Sequence, residues 1–496
     1  MKRGQIVEGL VEECDYPCRA RVRCDEGVVV VKNALPGQRV SVRIGRSHAD
    51  RAEGTLIEVL EKSDIETGKI CANFGKCGGC AYLSMSGDSE AELKCEQVKK
   101  LFNARVAQSY EKYGYSPEFG GIGKSPVMYG YRNKMEFSFG NERLGGELNI
   151  GLHKRGAFHD ILDVCDCLIV DEDYRKILTF TRDYFRNNET PFYHKKDHTG
   201  YLRNLVVRKA AHTGEILICP VTASDDATGT DHTDLLQRYT DGLTSLSLDG
   251  EICGIVQIVN DCISDAIIAD DVKLLYGRDY INETLLDLKF KIGPFSFFQT
   301  NTHSAEVLYS MVRDYVAGCD GGVKGKTVYD LYSGTGTIAQ IAARDADKVY
   351  GVEIIPEAVE AARASASENG IENCEFICGD VLKVLDDLAE KPDIIILDPP
   401  RDGIHPKALP KIISYGVENI IYISCKPTSL ERDLGTFLDA GYRIERYACV
   451  DQFPWTKEVE TVVLLDNKFA KAKDFVQIGI DAEDYYRIKD AQKESR

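Results

Sequence analysis

The sequence predicts an α/β protein whose C-terminal part is a parallel sheet covered by helices, preceded by a small β-barrel and a central α+β domain. Two observations predict this fold class. From about residue 291 to 470, short apolar runs alternate with helical segments, as in parallel sheets that are buried on both faces. Residues 1–60 instead alternate polar and apolar positions around glycine and proline turns, which is typical of half-buried strands.

The length and composition are those of a globular protein with several domains. The chain has 496 residues and a formal net charge of −18, which argues against indiscriminate binding of polyanions but allows a local basic surface. It contains no run of about 20 uncharged apolar residues, and the N-terminus lacks the apolar core of a signal peptide. We therefore expect a cytoplasmic protein with no membrane segment.

Residues 1–60 form the first predicted domain. Strand-like segments cover Arg19–Arg23, Gly27–Lys32 and Arg39–Arg43, with a turn at Pro36-Gly37. A small barrel of this kind often binds nucleic acid, but it is also a common structural appendage. The strands alone do not separate these two interpretations.

The segment 61–290 mixes helices with strands and is predicted to be an α+β domain. A helix from about Asp88 to Ser109 follows three closely spaced cysteines. The apolar stripe of this helix comprises Leu93, Val98, Leu101 and Val106. The other predicted elements are the helix Asp171–Asn188 and the strands Lys134–Gly140, Leu202–Arg208, Glu215–Pro220 and Gly254–Val259.

The segment 291–470 carries the predicted parallel sheet, and residues 471–496 are expected to be a C-terminal tail. The predicted strands are Thr327–Leu331, Lys348–Val352, Glu375–Cys378, Ile394–Leu397 and Ile420–Ser424. Helices are expected at Gly336–Arg344 and Pro356–Asn369, between the first three strands.

A glycine turn and an acidic strand end predict a nucleotide cofactor. The strand Thr327–Leu331 runs into Gly334-x-Gly336 and a helix, and the next strand ends at Glu353. Glycines at such a turn let the backbone approach a ligand, and a strand-end carboxylate can accept both hydroxyls of a ribose. Nicotinamide cofactors use a similar layout, usually with a third glycine where this chain has Ala339, so the glycine pattern alone leaves both cofactor classes open.

Three reactive side chains accompany the later strands. Asp398 precedes two prolines and Arg401 at the end of one strand, and Cys425 precedes Lys426 at the end of the next. A cysteine beside a lysine is expected to have a lowered pKa and to act as a thiolate nucleophile, although a buried apolar filler is the other interpretation. Glu460 lies just inside a late apolar strand, where burial should raise its pKa and suit it to general-base work, unless it forms a cross-strand salt bridge.

Taken in order, these segments resemble the cysteine-dependent RNA (uracil-5-)-methyltransferases, which have a Rossmann-like class I methyltransferase domain. The matching strings are DLYSGTG, GVE, LDPPR, YISCKP and FPWTKEVETVVLL, together with Phe297–Asn301 and Tyr131–Lys134 upstream. The N-terminal module resembles a TRAM domain, an OB-like RNA-binding barrel. The likeness spans nearly the whole chain, with Ser333 in place of a usual cysteine and Lys426 in place of a usual asparagine.

The resemblance implies a role for each residue of the site. Cys425 would be the nucleophile and Glu460 the base. The residues that would contact S-adenosylmethionine are Gln299, Tyr332, Glu353 and Asp398. The chemistry agrees with these roles, because C5 of uracil becomes nucleophilic only after a thiolate adds to C6, and a base must later remove the C5 proton.

The cysteine spacing predicts a metal centre in the central domain. Cys71, Cys77 and Cys80 lie within ten residues, and Cys165 or Cys167 could supply a fourth thiolate. Four thiolates suit zinc or an iron–sulfur cluster, although zinc ribbons more often have two matched cysteine pairs. The resemblance favours a [4Fe-4S] cluster, with zinc as the alternative, and Cys167 as its last ligand.

The expected function is the methylation of uracil C5 in RNA. Family members with both the barrel and the cluster are typically ribosomal, so the resemblance favours 23S rRNA as substrate and partner, with a tRNA uridine as second candidate. A non-catalytic iron–sulfur RNA-binding protein with this fold is an alternative from another class, and the presence of Cys425 and Glu460 argues against it. No obligate protein partner is evident from the sequence.

Overall fold

The architecture comes from a computed structural model that describes residues 1–47, 51–225, 229–264, 266–319, 321–387 and 390–467. The predicted tail 471–496 lies outside these residues. Within them the fold class is the predicted one, with a closed N-terminal barrel, a seven-stranded sheet and an eight-stranded α/β sheet. No helix of this part is both long enough and apolar enough to cross a membrane.

The barrel closes around a core of small apolar side chains. Its strands are β1 (Ile6–Asp15), β2 (Arg19–Cys24), β3 (Gly27–Lys32), β4 (Arg39–Ser47) and β5 (Ala52–Glu61). They follow the order β1-β2-β3-β5-β4, and β4 also pairs with β1. Alternate residues point inward, so Val22, Val29 and Val40 are completely buried. On the outer face Arg21 Nε lies 2.8 Å from Asp15 Oδ2, so acids already neutralise part of the basic surface.

Helix α1 (Gly87–Tyr113) and strand β6 (Glu118–Gly123) follow the barrel. The predicted apolar stripe packs as expected at Val98, which is completely buried, and at Leu101, which is partly buried against the same core. The apolar pattern does not reveal that α1 also buries Glu90 and Lys94, neither of which has any exposed surface.

The central sheet carries most of the predicted α+β elements. In chain order they are β7 (Lys134–Gly140), β8 (Asn149–Lys154), β9 (Ala157–Asp163), α2 (Glu172–Asn187), β10 (Leu202–Lys209), β11 (Glu215–Thr222), α3 (Thr233–Thr244), β12 (Glu251–Val259) and β13 (Asp271–Gly277). The strand order is β13-β12-β11-β10-β7-β8-β9, and a hairpin of β14 (Ile281–Leu285) and β15 (Leu288–Ile292) leads to the last part of the chain.

The last part is the predicted parallel sheet with helices on both faces. Its elements are α4 (Thr302–Ala317), β16 (Thr327–Leu331), α5 (Thr337–Ala343), β17 (Lys348–Glu353), α6 (Pro356–Glu368), β18 (Cys374–Cys378), α7 (Val381–Asp387), β19 (Ile394–Leu397), α8 (Ala408–Ser414), β20 (Asn419–Ser424), α9 (Pro427–Asp439), β21 (Arg443–Val450) and β22 (Glu460–Asp466). The order is β18-β17-β16-β19-β20-β22-β21-β6, in which β22 runs antiparallel to both neighbours.

Two elements from the segment 61–290 pack on this sheet instead of the central one. β6 adds to its edge by parallel pairing with β21. Helix α1 lies against α9, where Arg105 Nε donates to Glu431 Oε1 at 2.7 Å. Pairing between segments some 300 residues apart leaves no local signal, so sequence patterns did not indicate it. The domain limits 1–60, 61–290 and 291–470 therefore remain a prediction.

Candidate active site and cysteine cluster

The ends of neighbouring strands converge on one cavity of about 1490 Å³. β16, β17, β19 and β20 are parallel, and β22 begins beside their carboxyl ends. The cavity is lined by all six residues that the sequence analysis assigned to catalysis and cofactor binding: Gln299, Tyr332, Glu353, Asp398, Cys425 and Glu460. It opens beside β16, where the strand order reverses, which is the place at which open α/β sheets bind ligands.

The glycine loop after β16 forms the part of the wall that suits a ribose. Gly334 and Gly336 have φ angles of 53° and 74°. A Cβ atom on Gly336 would lie 2.4 Å from the ring of Phe376, so the turn requires glycine there. The Glu353 carboxylate accepts hydrogen bonds from the N–H groups of Gly334 at 3.0 Å and Ile354 at 2.8 Å. Both oxygens are thereby fixed, and their remaining lone pairs can accept hydroxyl groups.

Gln299 reaches the cavity from the segment before α4. Asn133 holds this segment, because its Nδ2 donates to Gln299 O at 3.0 Å and to Thr302 Oγ1 at 2.8 Å. Asn301 and Gln452 bond reciprocally, with Asn301 Nδ2 donating to Gln452 O at 2.9 Å and Gln452 Nε2 donating to Asn301 O at 3.0 Å. The asparagines of the two upstream motifs thus hold the backbone around the cavity, a role that their sequence pattern did not reveal.

Cys425 directly follows β20, and its thiol faces carboxyl groups. The prediction that Lys426 lowers the thiol pKa is wrong, because the Lys426 ammonium lies 3.7 Å from the exposed carboxylate of Asp402 and does not act on the thiol. Burial raises the pKa of Cys425 to about 12, the negative charge of Glu460 adds to this, and the Arg401 guanidinium opposes it. The thiol is therefore protonated at neutral pH in the free protein.

Two carboxyl groups, the buried Glu460 and the half-buried Asp398, share the space around the thiol. Burial raises the pKa of Glu460, the first residue of β22, to about 8, and the charge of Asp398 adds to this. Burial raises the pKa of Asp398 to about 7. The raised pKa predicted for Glu460 is confirmed. The salt-bridge interpretation is not supported, because the nearby Arg401 pairs with Glu458 at 2.5 Å.

The loop between β21 and β22 is anchored by a buried lysine that the sequence analysis did not single out. Lys94 Nζ lies 2.6 Å from Asp451 Oδ1 and 2.9 Å from Glu90 Oε1, and it donates to Phe453 O at 3.2 Å. Phe453 lines the cavity, and the loop leads into Glu460. Helix α1 therefore fixes the backbone that carries one wall of the site.

Trp455 fixes the same loop from the side of the cysteines. Its backbone has a φ of 68°, and its indole Nε1 donates to Met128 O at 2.6 Å. Its carbonyl oxygen accepts hydrogen bonds from the N–H groups of Ala81 at 2.8 Å and Tyr82 at 2.9 Å. Because these two residues directly follow Cys80, their hydrogen bonds join the loop between β21 and β22 to the segment that carries Cys71, Cys77 and Cys80.

Four cysteines line a second, small cavity in the central part. They are Cys71, Cys77, Cys80 and Cys167. Burial raises the pKa of Cys167 to about 11, and the thiols of Cys71 and Cys77 contribute to this, so the sulfurs lie near one another. Cys165 instead faces Arg182, whose Nη1 lies 3.5 Å from its sulfur. Of the two candidates for the fourth ligand, the structure therefore brings Cys167 to the other three.

The residues around this cavity suit a metal centre with four thiolate ligands. Structural zinc takes four cysteine thiolates, and so does a [4Fe-4S] cluster. The set of Cys71, Cys77, Cys80 and Cys167 therefore fits either centre.

Related RNA methyltransferases are similar to this chain over nearly its full length. A profile of the family described as tRNA (Uracil-5-)-methyltransferase matches residues 263–468. An uncharacterized RNA methyltransferase of Clostridium tetani is 45% identical over 469 residues, which cover 94% of this chain and 99% of the relative. An RNA methyltransferase of Caldanaerobacter subterraneus subsp. tengcongensis, also uncharacterized, is 44% identical and covers 94% of this chain and 100% of the relative.

One solved structure is similar over almost the full chain. It is the Pyrococcus abyssi tRNA (uracil-54, C5)-methyltransferase in complex with S-adenosyl-L-homocysteine, with a TM-score of 0.71 and 25% identity. The match covers 92% of this chain and 99% of that one. These similarities establish that the chain belongs to the family of S-adenosylmethionine-dependent RNA (uracil-5-)-methyltransferases.

Proposed function

We propose that this enzyme methylates carbon 5 of uracil in 23S rRNA through a covalent bond between Cys425 and carbon 6 of the base. One observation carries the proposal: the thiol of Cys425, the buried carboxyl of Glu460 and the strand-end carboxylate of Glu353 line a single cavity. A nucleophile, a base and a nucleotide-binding group around one space are what the reaction requires.

The proposed cofactor contacts follow from the wall of the cavity. Glu353 suits a ribose because backbone N–H groups already fix both of its oxygens. Asp398 offers a half-buried carboxyl group with a raised pKa, whose charged form is favoured once a positive charge is nearby. Gln299 and Tyr332 complete the proposed set. When bound, S-adenosylmethionine supplies an electrophilic methyl group and a positive charge.

Cys425 and Glu460 carry out the covalent and proton-transfer steps. The thiol of Cys425 first loses its proton to water, and the thiolate sulfur then forms a bond to C6. The electron pair of the C5–C6 double bond moves toward C5 and O4, which makes C5 nucleophilic. Once C5 carries the methyl group, Glu460 removes the proton that C5 still holds. The electron pair of that C–H bond restores the double bond and expels the sulfur, so the thiolate is regenerated.

RNA that contains 5-fluorouridine tests the covalent step. Fluorine cannot leave as a proton, so the bond between sulfur and C6 should persist and the enzyme and RNA should migrate together on a denaturing gel. Cys425→Ala should form no such species while it still binds S-adenosylhomocysteine. Cys378→Ala, which changes an exposed cysteine, is the matched control and should react normally. Adduct formation or turnover by Cys425→Ala would refute the nucleophile.

The second small cavity is proposed to hold a [4Fe-4S] cluster on Cys71, Cys77, Cys80 and Cys167. The methyl transfer needs no electron transfer, so such a cluster would be structural or would position RNA. The matched pair Cys167→Ser and Cys165→Ser tests the ligand set, because only Cys167 lines that cavity. Iron and sulfide should be lost from the first variant and kept in the second. Zinc without sulfide in the wild-type protein would favour the alternative.

The choice of RNA rests on the likeness of the barrel and the cysteine loop to those of ribosomal members. A tRNA uridine is the second candidate, because the solved relative from Pyrococcus abyssi acts on tRNA. Mapping 5-methyluridine in both RNA classes, from cells with and without the gene, separates the two. A methyl group lost from 23S rRNA alone supports the proposal, and loss confined to tRNA refutes it. No change in either RNA would favour a non-catalytic RNA-binding protein.

A further inference from the structure

Two histidines and a glutamate meet where the turn between β10 and β11 reaches the start of α4. The ring nitrogens of His212 and His303 and a carboxylate oxygen of Glu306 all lie within 4.8 Å of one another. We propose that these three side chains bind one divalent transition-metal ion of the zinc type, and that the ion links the turn to α4.

The ligand types and their spacing suit such an ion. His303 and Glu306 are three positions apart on α4, so they project from the same face of the helix. Two imidazole nitrogens and one carboxylate are a common zinc ligand set. Zinc bonds of about 2.0–2.1 Å place neighbouring ligand atoms about 3.3 Å apart. His212 Nε2 and Glu306 Oε1 already lie 3.0 Å apart, so only small side-chain movements are needed.

A buried carboxylate holds the two backbone segments that carry the histidines. Glu283 is 1% exposed, and it accepts hydrogen bonds from the N–H groups of Ala211 at 2.6 Å and His212 at 3.0 Å. It also accepts one from Thr302 Oγ1 at 2.8 Å, and Thr302 immediately precedes His303. The same side chain therefore fixes the turn and the first residue of the helix, and the metal ligands are held in position before an ion binds.

The surroundings leave room for the ion and for a further ligand. His303 and Glu306 line an open cavity of about 620 Å³, which is separate from the catalytic cavity. Glu306 Oε1 also accepts the N–H of Leu286 at 3.2 Å, which limits the rotation of the carboxylate. Three protein ligands leave a fourth position that water from this cavity can occupy.

Zinc binding by the full-length protein tests the proposal. Equilibrium dialysis against Zn²⁺, followed by metal analysis, should show one equivalent fewer per chain in His303→Ala and in His212→Ala than in the wild type. Any zinc that the cysteines bind is the same in the wild type and both variants, so it cancels when their zinc contents are compared. Added Zn²⁺ should raise the melting temperature of the wild type more than that of either variant.

The control is His159→Ala, which removes an exposed histidine of β9 outside the proposed site. It should keep the full equivalent of zinc. Equal zinc content in the wild type and both variants would overturn the proposal, as would an equal loss in the control, because the three side chains would then form only a hydrogen-bonded cluster. If His303→Ala does not fold, Glu306→Gln, which keeps the shape of the side chain, replaces it and should lose the same equivalent.

Discussion

Two groups of buried charges lie at the two ends of the loop before β22, and only one of them contains its own cation. Around Cys425 the half-buried Asp398 and the buried Glu460 face a thiol. Under the same loop, Lys94 lies between Glu90 and Asp451. Glu460, Glu90, Lys94 and Asp451 are all at most 3% exposed, so the burial of these charges does not by itself explain why the two groups differ.

The two groups differ in whether a buried, positively charged side chain lies among the acids. Burial alone would lower the pKa of Lys94, but Asp451 and Glu90 outweigh it and raise that pKa. Burial raises the pKa of Glu460 to about 8, because no comparable cation compensates it. The group around Lys94, with its charges balanced, holds a loop in place. The group around Cys425 has no such cation, so it can respond to a positively charged ligand and can exchange protons.

The largest expected change in stability comes from removing the buried cation, Lys94. Lys94→Met would leave Asp451 buried without a counter-ion, and the free energy of unfolding at pH 8 should fall by about 3–5 kcal/mol. Urea unfolding measures this change. Lys99→Met on the same helix removes an exposed partner of Glu96 and should cost less than about 1 kcal/mol. Equal losses in the two variants would mean that the buried cation has no special role.

A change in stability of the opposite sign is expected when Glu460, in the cavity that contains Cys425, is replaced. The pKa of Glu460 is about 8 in the folded state, above its ordinary value of 4.5, so the wild type should lose stability as the pH rises from about 4.5 through 8. Glutamine does not titrate. Glu460→Gln should therefore be more stable than the wild type at pH 9 by about 2–5 kcal/mol, and similar to it at pH 4. Thermal unfolding at both pH values measures the difference.

A neighbouring glutamate provides the control for this pH effect. Glu458→Gln removes a carboxylate that pairs with Arg401, and it should not reproduce the gain at pH 9. A gain of equal size would show that net charge in the region, and not the burial of Glu460, determines the stability.

The smallest effect on turnover and stability is expected from replacing Arg401, whose side chain is 63% exposed. Its positive charge lowers the pKa of both Cys425 and Glu460. In the proposed mechanism both groups must lose a proton to act, so turnover in the wild type should begin to rise near pH 8, the pKa of Glu460, and continue to rise toward the Cys425 pKa of about 12. Arg401→Gln should move this rise to higher pH by less than about one unit and change stability by less than about 0.5 kcal/mol. A pH–rate profile of single turnovers measures the shift, and an unchanged profile would contradict it.

Local sequence patterns predicted the positions of the site residues but not all of their properties. Strand ends and the glycine turn brought Glu353, Asp398 and Cys425 to one edge of the sheet, because parallel strands place their carboxyl ends together. The thiol pKa was predicted in the wrong direction, since the adjacent Lys426 turns toward Asp402. The groups that do act on the thiol come from distant parts of the chain.

Contacts across long sequence separations explain the other differences. Glu90 and Lys94 are four positions apart, a spacing usually found in exposed helix pairs. The second carboxylate that pairs with Lys94, that of Asp451, lies 357 positions along the chain, so nothing near α1 indicates that Glu90 and Lys94 are buried. Cysteine spacing likewise could not distinguish Cys165 from Cys167 without the resemblance, whereas the positions of the other three sulfurs do.

The hydrogen bonds of the Trp455 carbonyl oxygen make the cavity that contains Cys425 sensitive to the condition of the cysteine segment. Since it is held by the amides that follow Cys80, displacement of that cysteine, by oxidation or by loss of the proposed cluster, would pull directly on the segment that carries Phe453 into the wall of the cavity. Methylation would then fail even though every atom that handles the methyl group is intact. The modification level of the RNA would in this way report on the condition of a thiol loop that takes no part in the chemistry.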